Sequence, residues 1–197
     1  GDSVRSDSAT AGAVAAASFL PPAVREFKKK FPGIEVILKV QTIPILEKLL
    51  LDGELDVAFY GLEPSSPHLA SEPFFKEEVV AFAPPNHPLA KKRSVSLELL
   101  AKEPLIAHEK GSPTRDIIEE RFVKKGLPFT PVLELNFFGG RDVIRNSVAN
   151  GEGIGFLSRC LVSGDAQTGR VKLLNVPELK LYRPHFIVLH RSRKISA

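Results

Sequence analysis

The sequence indicates an α/β protein built from two similar Rossmann-like lobes with a cleft between them, and two observations lead to that expectation. Strand-like and helical segments alternate with short links, which is typical of parallel sheets with right-handed crossovers. The segment around Gly53, Asp-Gly-Glu-Leu-Asp-Val-Ala-Phe, also has a counterpart around Gly151, Asn-Gly-Glu-Gly-Ile-Gly-Phe-Leu. In both copies a helical pattern ends at the glycine and an apolar strand follows, as expected where a helix end needs a positive φ. Two similar α/β halves usually form two lobes.

The first half of the chain reads as three strands separated by two helices. Strands are predicted at residues 3–8, a polar segment, and at the apolar segments 34–40 and 55–60. Thr42 stands before the second helix, and its hydroxyl is expected to cap that helix. The first helix has an apolar stripe at helical spacing, formed by Leu20, Val24, Phe27 and Phe31.

Prolines punctuate residues 64–88, and we interpret this region as a connection that crosses from one lobe to the other. The later elements are a helix at 97–101, a strand at 104–108, a helix from Ser112-Pro113 to Gly126, a strand at 132–136, a helix ending at Gly151, and strands at 154–157, 171–174 and 184–190. Lobe I is therefore predicted to comprise residues 1–83 and 158–197, and lobe II residues 84–157.

Composition and charge are those of a globular chain. The 197 residues are 43% hydrophobic and 25% charged, which is enough for one large or two small cores. No apolar run reaches the roughly 18 residues that a membrane helix requires, and residues 11–20 lack the basic start and cleavage site of a signal peptide. The net charge of +4 comes without a field of lysine and arginine, which argues against a nucleic-acid-binding face.

Loops at the carboxyl ends of the predicted strands are candidates for a ligand site. In an open parallel sheet, ligands bind where strands end and helices begin. Helix N-termini there offer unpaired N–H groups and partial positive charge, so a carboxylate or another small anion is the expected ligand. The candidate residues are Ser8 and Thr10, Gln41 and Thr42, Ser112, Thr114 and Arg115, and Phe138, Gly139 and Gly140.

Several of these candidates also have a purely structural interpretation. Thr42 and Ser112 can simply cap helices, which explains a hydroxyl at such positions at least as often as ligand binding does. Arg115 can neutralise a ligand, or it can form a surface pair with Asp116 or Glu119, which is the commoner outcome. The glycines at 139–140 can be only a tight turn, and the neighbouring phenylalanines only core and rim.

No catalytic or metal-binding constellation is evident. His108 and Glu109 are adjacent on a predicted strand, so their side chains point to opposite faces and cannot share a proton. The other histidines are scattered without the spacing of metal ligands. Cys160 is the single cysteine, which excludes an internal disulfide, and we interpret it as a buried apolar filler. No cofactor is expected.

The order and spacing of several short motifs resemble the effector-binding domain of LysR-type transcriptional regulators. The resemblance spans nearly the whole chain and depends on the set rather than on any single motif. The motifs are Leu20-Pro21, Phe27, Phe31-Pro32, Gly53-Glu54-Leu55-Asp56-Val57-Ala58, Asn86-His87-Pro88-Leu89-Ala90, Gly111-Ser112, Asp142-Val143-Ile144 and Gly151-Glu152-Gly153-Ile154-Gly155-Phe156-Leu157.

The resemblance implies a fold similar to type II periplasmic binding proteins, with a small-molecule inducer in the interlobe cleft. It implies effector contacts from the loops named above and from the end of the third strand, at Tyr60 and Gly61. It also implies an antiparallel homodimer surface at residues 20–40 and a tetramer in the full-length protein. DNA would be bound by an N-terminal winged helix-turn-helix that we expect to be missing from this chain.

Three classes of function stay open at this point. A cytoplasmic bacterial transcriptional sensor is favoured, with no contact to a membrane. An extracytoplasmic solute-binding receptor of a transporter has the same architecture, and a native N-terminal extension would separate the two, because a winged helix belongs to the sensor and a signal peptide to the receptor. An enzyme is the weakest alternative, since no acid–base or nucleophile constellation can be assembled.

Overall fold

The computed structural model describes residues 6–11, 15–16, 19–136 and 140–192. The elements are, in chain order, β1 (Ser6–Ala11), α1 (Leu20–Lys30), β2 (Glu35–Val40), α2 (Ile43–Leu51), β3 (Val57–Tyr60), β4 (Leu69–Ala83), a 3-10 turn (Pro88–Lys91), α3 (Leu97–Leu100), β5 (Leu105–His108), α4 (Pro113–Lys124), β6 (Leu133–Leu135), α5 (Gly140–Ala149), β7 (Ile154–Ser158), α6 (Arg159–Gln167), β8 (Lys172–Leu173), a second 3-10 turn (Pro177–Leu179) and β9 (Leu181–His190).

The chain divides into two compact units at other residues than the sequence analysis predicted. Unit 1 comprises Gly1–Lys76 and Pro184–Ala197, and unit 2 comprises Glu77–Arg183. The predicted boundaries at 83/84 and 157/158 assigned residues 77–83 and 158–183 to lobe I. These residues belong to unit 2 because the second half of β4 forms an antiparallel ladder with β7, and β8 pairs with the end of β4.

In unit 1, β1 lies between β2 and β3 and is parallel to both, while β9 runs antiparallel to β3. The helix α2 packs on this sheet through Leu46 and Leu50, which are fully buried with Tyr60 and Val188. Removing these aliphatic and aromatic side chains from water is the main stabilising contribution to the unit.

The helix α1 buries less of its apolar stripe than its periodicity suggests. Leu20 is 4% exposed, but Phe27 is 37% and Phe31 49% exposed. The neighbouring strand β2 lies next to β1 and also exposes Ile37 and Val40. Unit 1 therefore exposes apolar side chains on both α1 and β2, and we call this set the α1–β2 face. Ile37 and Val40 are three positions apart, so their side chains project to opposite sides of β2.

In unit 2, β5 is parallel to both β6 and β7, and β7 is antiparallel to β4. The helix α5 packs closely on β7 at Gly155. A Cβ atom at this position would lie 2.7 Å from a methyl group of Val148 and 2.8 Å from the ring of Phe82. Only a residue without a side chain allows this approach of helix and sheet, since such contacts are shorter than close packing permits.

The repeated helix ends are confirmed. Gly53 has φ 74° and Gly151 has φ 91°, so both glycines take the left-handed conformation that ends a helix. The strands β3 and β7 begin a few residues later, as the sequence repeat indicated.

Three local expectations are corrected. The first strand, described over Ser6–Ala11, continues past its predicted end at residue 8, so Ser8 and Thr10 lie within β1, paired with β2, and not in a loop after it. The helix α6 was not predicted, because its apolar residues form no clear helical stripe. Cys160 is exposed near the start of α6 and is not a buried filler. None of the described helices is long and apolar enough to cross a membrane.

Candidate functional site

Five polar side chains gather at the carboxyl edge of the parallel strands of unit 2, and we call them the strand-end cluster. They are Glu77, His108, Arg141, Ser158 and Arg183. All five lie within unit 2. The cluster occupies the edge at which open parallel sheets bind ligands.

Strand pairing brings the members of the cluster together. The strands β5 and β7 pair in parallel, with Leu105 opposite Ile154, so their last residues, His108 and Ser158, end at the same edge. His108 is also opposite Leu135, the last residue of β6. A Cβ atom at Gly140 would lie 3.2 Å from Leu135 Cβ, so α5 begins directly against that strand end, with Arg141 as its second residue.

A buried ion pair lies at the centre of the cluster. Arg183 Nη2 donates to Glu77 Oε2 at 2.9 Å, and the hydroxyl of Ser158 donates to the other carboxylate oxygen. Glu77 is 1% exposed and the side chain of Arg183 12% exposed. Arg183 Nε is also buried, and no residue that the structure describes accepts a hydrogen bond from it. The guanidinium therefore retains a buried donor that is not satisfied.

Burial keeps the imidazole of His108 neutral. The pKa of His108 is lowered to about 4, mainly by desolvation and also by the positive charges of Arg141 and Arg183, while a hydrogen bond with the backbone of Leu135 opposes the shift. Desolvation also lowers the pKa of Arg141, and Arg183 adds repulsion that Glu77 partly offsets. Arginine stays charged at neutral pH. Two guanidinium groups and one carboxylate thus leave the cluster with one net positive charge.

Arg115, predicted as an effector contact, instead forms a buried ion-pair network. Its side chain is 2% exposed, with Nε 3.0 Å from Glu119 and Nη1 2.8 Å from Glu134. Nη1 also donates to the carbonyl of His108 at 3.1 Å, and the guanidinium lies 5.6 Å from the ring centre of Phe129. Desolvation lowers the pKa of Arg115, but the two carboxylates outweigh it and the net pKa rises. The Glu119 pair was one of the predicted alternatives; burial and the Glu134 pair were not predicted.

Thr42 and Ser112 occupy N-cap positions without acting as caps. Thr42 precedes α2 with φ −74° and ψ 153°, and Ser112 precedes α4 with φ −72° and ψ 126°, the extended conformation typical of an N-cap. Neither hydroxyl accepts a hydrogen bond from its described helix. The expected capping bonds are therefore corrected, and both partly buried hydroxyls are available to other partners.

The remaining candidates fall into two groups. Gln41 lies in the short link between β2 and α2, Gly61 follows β3, and Thr114 is buried in the first turn of α4. Phe138 and Gly139 lie outside the described residues. Across the described ranges, no group of His, Cys, Asp or Glu side chains could hold a metal ion.

Glu77, Arg141, Ser158 and Arg183 were not among the sequence-predicted site residues. A usable signal existed for Arg141, which stands just after a pair of glycines at a predicted helix start. No local signal marks the pair of Glu77 and Arg183, because the two residues are 106 positions apart in the chain.

Comparison with protein-family models gives a match over residues 9–197 to a family described as LysR substrate binding domain. The chain is 32% identical over 178 residues to a phosphonates import ATP-binding protein PhnC from Anaeromyxobacter dehalogenans, covering 90% of this chain and 36% of that protein. It is 30% identical over 178 residues to the HTH-type transcriptional activator CmpR of Synechocystis, of which it covers 58%. The chain thus spans less than two thirds of either relative.

Solved structures confirm the predicted α/β fold of the type II periplasmic-binding-protein kind. The regulatory domain of CcmR from Synechocystis PCC6803, in complex with 2-PG, is similar with a TM-score of 0.84 and 27% identity, over 97% of this chain and 90% of that one. The cofactor-binding domain of the Cbl transcriptional regulator is similar with a TM-score of 0.87 and 27% identity, over 99% of this chain and 84% of that one.

Proposed function

Since this chain belongs to the LysR substrate binding domain family, we propose that it is the sensing domain of a bacterial transcription regulator and that its effector is a small anion. In this proposal, effector binding changes how the regulator's subunits hold their DNA-binding domains. The regulator acts in the cytoplasm, and DNA is bound by a part of the protein that lies outside this chain.

The net positive charge of the strand-end cluster is the observation that supports an anionic effector. Arg141 and Arg183 are close enough to repel each other, with Glu77 as the carboxylate between them. The buried Nε of Arg183 has no acceptor among the residues described, and an anion bound at the cluster would supply one. The amino end of α5 adds partial positive charge at the same edge.

Two hydroxyls support the same ligand class. Thr42 in unit 1 and Ser112 in unit 2 stand at helix N-termini without making capping bonds. Hydroxyl donors at such positions, together with backbone N–H groups, are suited to the oxygens of a carboxylate, phosphate or sulfate. The location of the effector between the two lobes stays a prediction from the sequence.

The relatives suggest which anions to test first. The CcmR domain was solved with 2-PG, and PhnC is named for the import of phosphonates. We therefore include 2-PG, phosphonates, inorganic phosphate and sulfate, and small carboxylates in a first panel.

Binding of a small anion can be tested by thermal shift followed by calorimetry on this chain. A ligand that binds the native state at about 100 times its Kd stabilises it by about 2.7 kcal/mol, so the melting temperature rises with concentration. We expect at least one anion to do this, and a neutral molecule of similar size, at matched ionic strength, to have no effect. Equal shifts from the neutral molecule, or no shift from any anion, would contradict the proposal.

The α1–β2 face supports a homodimer as the partner arrangement. Phe27, Phe31, Ile37 and Val40 are exposed on neighbouring elements of unit 1. The rings of Phe27 and Phe31 are in contact, with centroids 4.9 Å apart, and exposed apolar side chains that cluster are candidates for an interaction surface. We propose that this face, within residues 20–40, forms the dimer contact and that the full-length protein assembles further into a tetramer.

The relatives that are named as regulators support the sensor over the other function classes. CmpR is named as a transcriptional activator, and the similar CcmR and Cbl structures are named as domains of regulators.

A further inference from the structure

We propose that Arg183 is the residue of unit 2 that binds the oxyanion of the effector, and that Glu77 is its internal counter-ion, so that effector and Glu77 compete for one guanidinium. This inference rests on the proposed anionic effector and names the side chain that recognises it. The ligand class is an oxyanion, carried by a carboxylate, phosphate or sulfate group.

The hydrogen bonds of Arg183 are the first argument. A guanidinium has five N–H donors in a planar fork. One of them, on Nη2, is used by Glu77 at 2.9 Å, while the buried Nε has no acceptor among the residues described. A buried donor that lacks an acceptor is unfavourable and usually signals an absent partner. An oxyanion can supply acceptors to such a fork in a bidentate arrangement.

The charges around Arg183 are the second argument. Arg141, on α5, raises the local positive potential, and the imidazole of His108, on β5, adds no charge at neutral pH. Asp142 also attracts Arg141, but the carboxylate of Asp142 already forms an ion pair with Arg145 at 3.0 Å. Glu77 is therefore the buried carboxylate of the cluster that opposes two arginines, and an incoming anion is attracted by both of them.

The ion pair of Arg159 and Glu78, in the same unit, provides a comparison for the hydrogen bonds of Arg183. Arg159 donates to both carboxylate oxygens of Glu78, through Nε and Nη2. The two arginines thus differ although their acidic partners are adjacent in sequence. The carboxylate of Glu78 accepts two hydrogen bonds from Arg159. The carboxylate of Glu77 accepts one from Arg183 and one from Ser158, so Nε of Arg183 has no acceptor among the residues described.

The place of the pair in the chain is the third argument. Glu77 is the first residue of unit 2 and Arg183 is the last, so the pair joins the two strands, β4 and β9, at the points where the chain passes between the units. An anion that draws Arg183 away from Glu77 therefore acts directly on both chain crossings. The ion pair thus links effector binding to the two residues at which the chain enters and leaves unit 2.

The test compares anion affinity among four variants and the unchanged chain, at constant ionic strength, with inorganic phosphate, inorganic sulfate and 2-PG as probes. Arg183→Gln removes the proposed ligand and is expected to weaken binding at least about tenfold, the size typical of a lost charge-assisted hydrogen bond. Arg183→Lys keeps the charge without the fork and should give an intermediate affinity. Arg93→Gln, which removes an exposed charge of the same unit outside the cluster, should bind as the unchanged chain does.

Glu77→Gln gives the decisive result. The amide oxygen can still accept from Arg183 or Ser158, but the competing negative charge is gone, so we expect anion affinity to rise about tenfold. A purely structural ion pair predicts lower stability with the same or weaker affinity.

The outcomes separate this inference from the proposed function. If the unchanged chain binds a probe and Arg183→Gln binds it equally well, the inference is overturned while the anionic effector stands. Unchanged or weaker binding by Glu77→Gln overturns it in the same way, even if Arg183→Gln does not fold. If the unchanged chain binds none of the three probes and no other anion of the first panel, both proposals fail.

Discussion

Arg115 Nη1 lies 2.8 Å from Glu134 Oε1, and this contact joins the buried end of α4 to the strand β6. The same guanidinium binds Glu119 within α4 and the carbonyl at the end of β5. The network therefore connects α4 to β6 and to the end of β5.

Replacing Arg115 with methionine should destabilise the chain without changing anion affinity. Removing one partner of a buried pair can cost 3–5 kcal/mol, but both carboxylates here are about two-fifths exposed, so we expect about 2 kcal/mol. Urea denaturation measures this loss. Glu120→Gln, at the exposed pair with Lys124, is the control and should change little. A loss of anion binding by the folded Arg115 variant would return this residue to the effector site.

The buried His108 should make folding stability depend on pH between about 4 and 6.5. Its pKa in the folded chain is about 4, below the ordinary 6.5, so the unfolded state binds more protons in this window. The contribution of the neutral imidazole is complete above pH 6.5 and is lost as the pH falls towards 4. A shift of this size corresponds to about 3 kcal/mol.

Urea denaturation at several pH values and an NMR titration of the imidazole check the effect of His108. The glutamine of His108→Gln cannot take up a proton, so the free energy of unfolding of this variant should depend less on pH across the same window. An imidazole that titrates near 6.5 in the folded chain would contradict the expected burial effect.

Thr42→Ala and Ser112→Ala should each weaken binding of the effector anion by more than they lower the melting temperature. Neither hydroxyl makes a capping bond, so the usual loss of about 1 kcal/mol for removing a cap is not expected. Calorimetry and thermal melts measure the two quantities. Ser163→Ala, on the exposed surface of α6, is a matched control. A loss of stability with unchanged affinity would show that the two hydroxyls act only as caps.

The chain should form dimers through the α1–β2 face. A charge placed in an apolar contact is costly to bury, so Phe31→Glu should give monomers where the unchanged chain gives dimers. Size-exclusion chromatography with light scattering distinguishes the two. Val123→Glu introduces the same charge at a 66% exposed valine of unit 2 and should leave the dimer intact. Monomers of the unchanged chain at high concentration would argue against this surface.

Local signals predicted the elements better than the site. The positive φ at Gly53 and Gly151 and the proline at the start of α4 follow from backbone restrictions that act over a few residues. The N-cap positions of Thr42 and Ser112 were also predicted correctly, but the capping hydrogen bonds expected there are not formed. Whether a side chain turns towards its own helix depends on what else surrounds it, and periodicity does not report that.

The sequence by itself determined the alternation of strands and helices and their repeated ends, because hydrophobic period and turn chemistry are encoded within short segments. The order of several short motifs carried the resemblance to LysR effector-binding domains. Only the tertiary structure decided which charged groups meet. Arg115 is paired because β6 supplies Glu134 next to its helix, and Arg183 meets Glu77 across 106 positions because β4 and β9 are neighbouring strands. The order of the strands and the packing of helices on them determine which side chains come into contact, and therefore which partner a buried charge has.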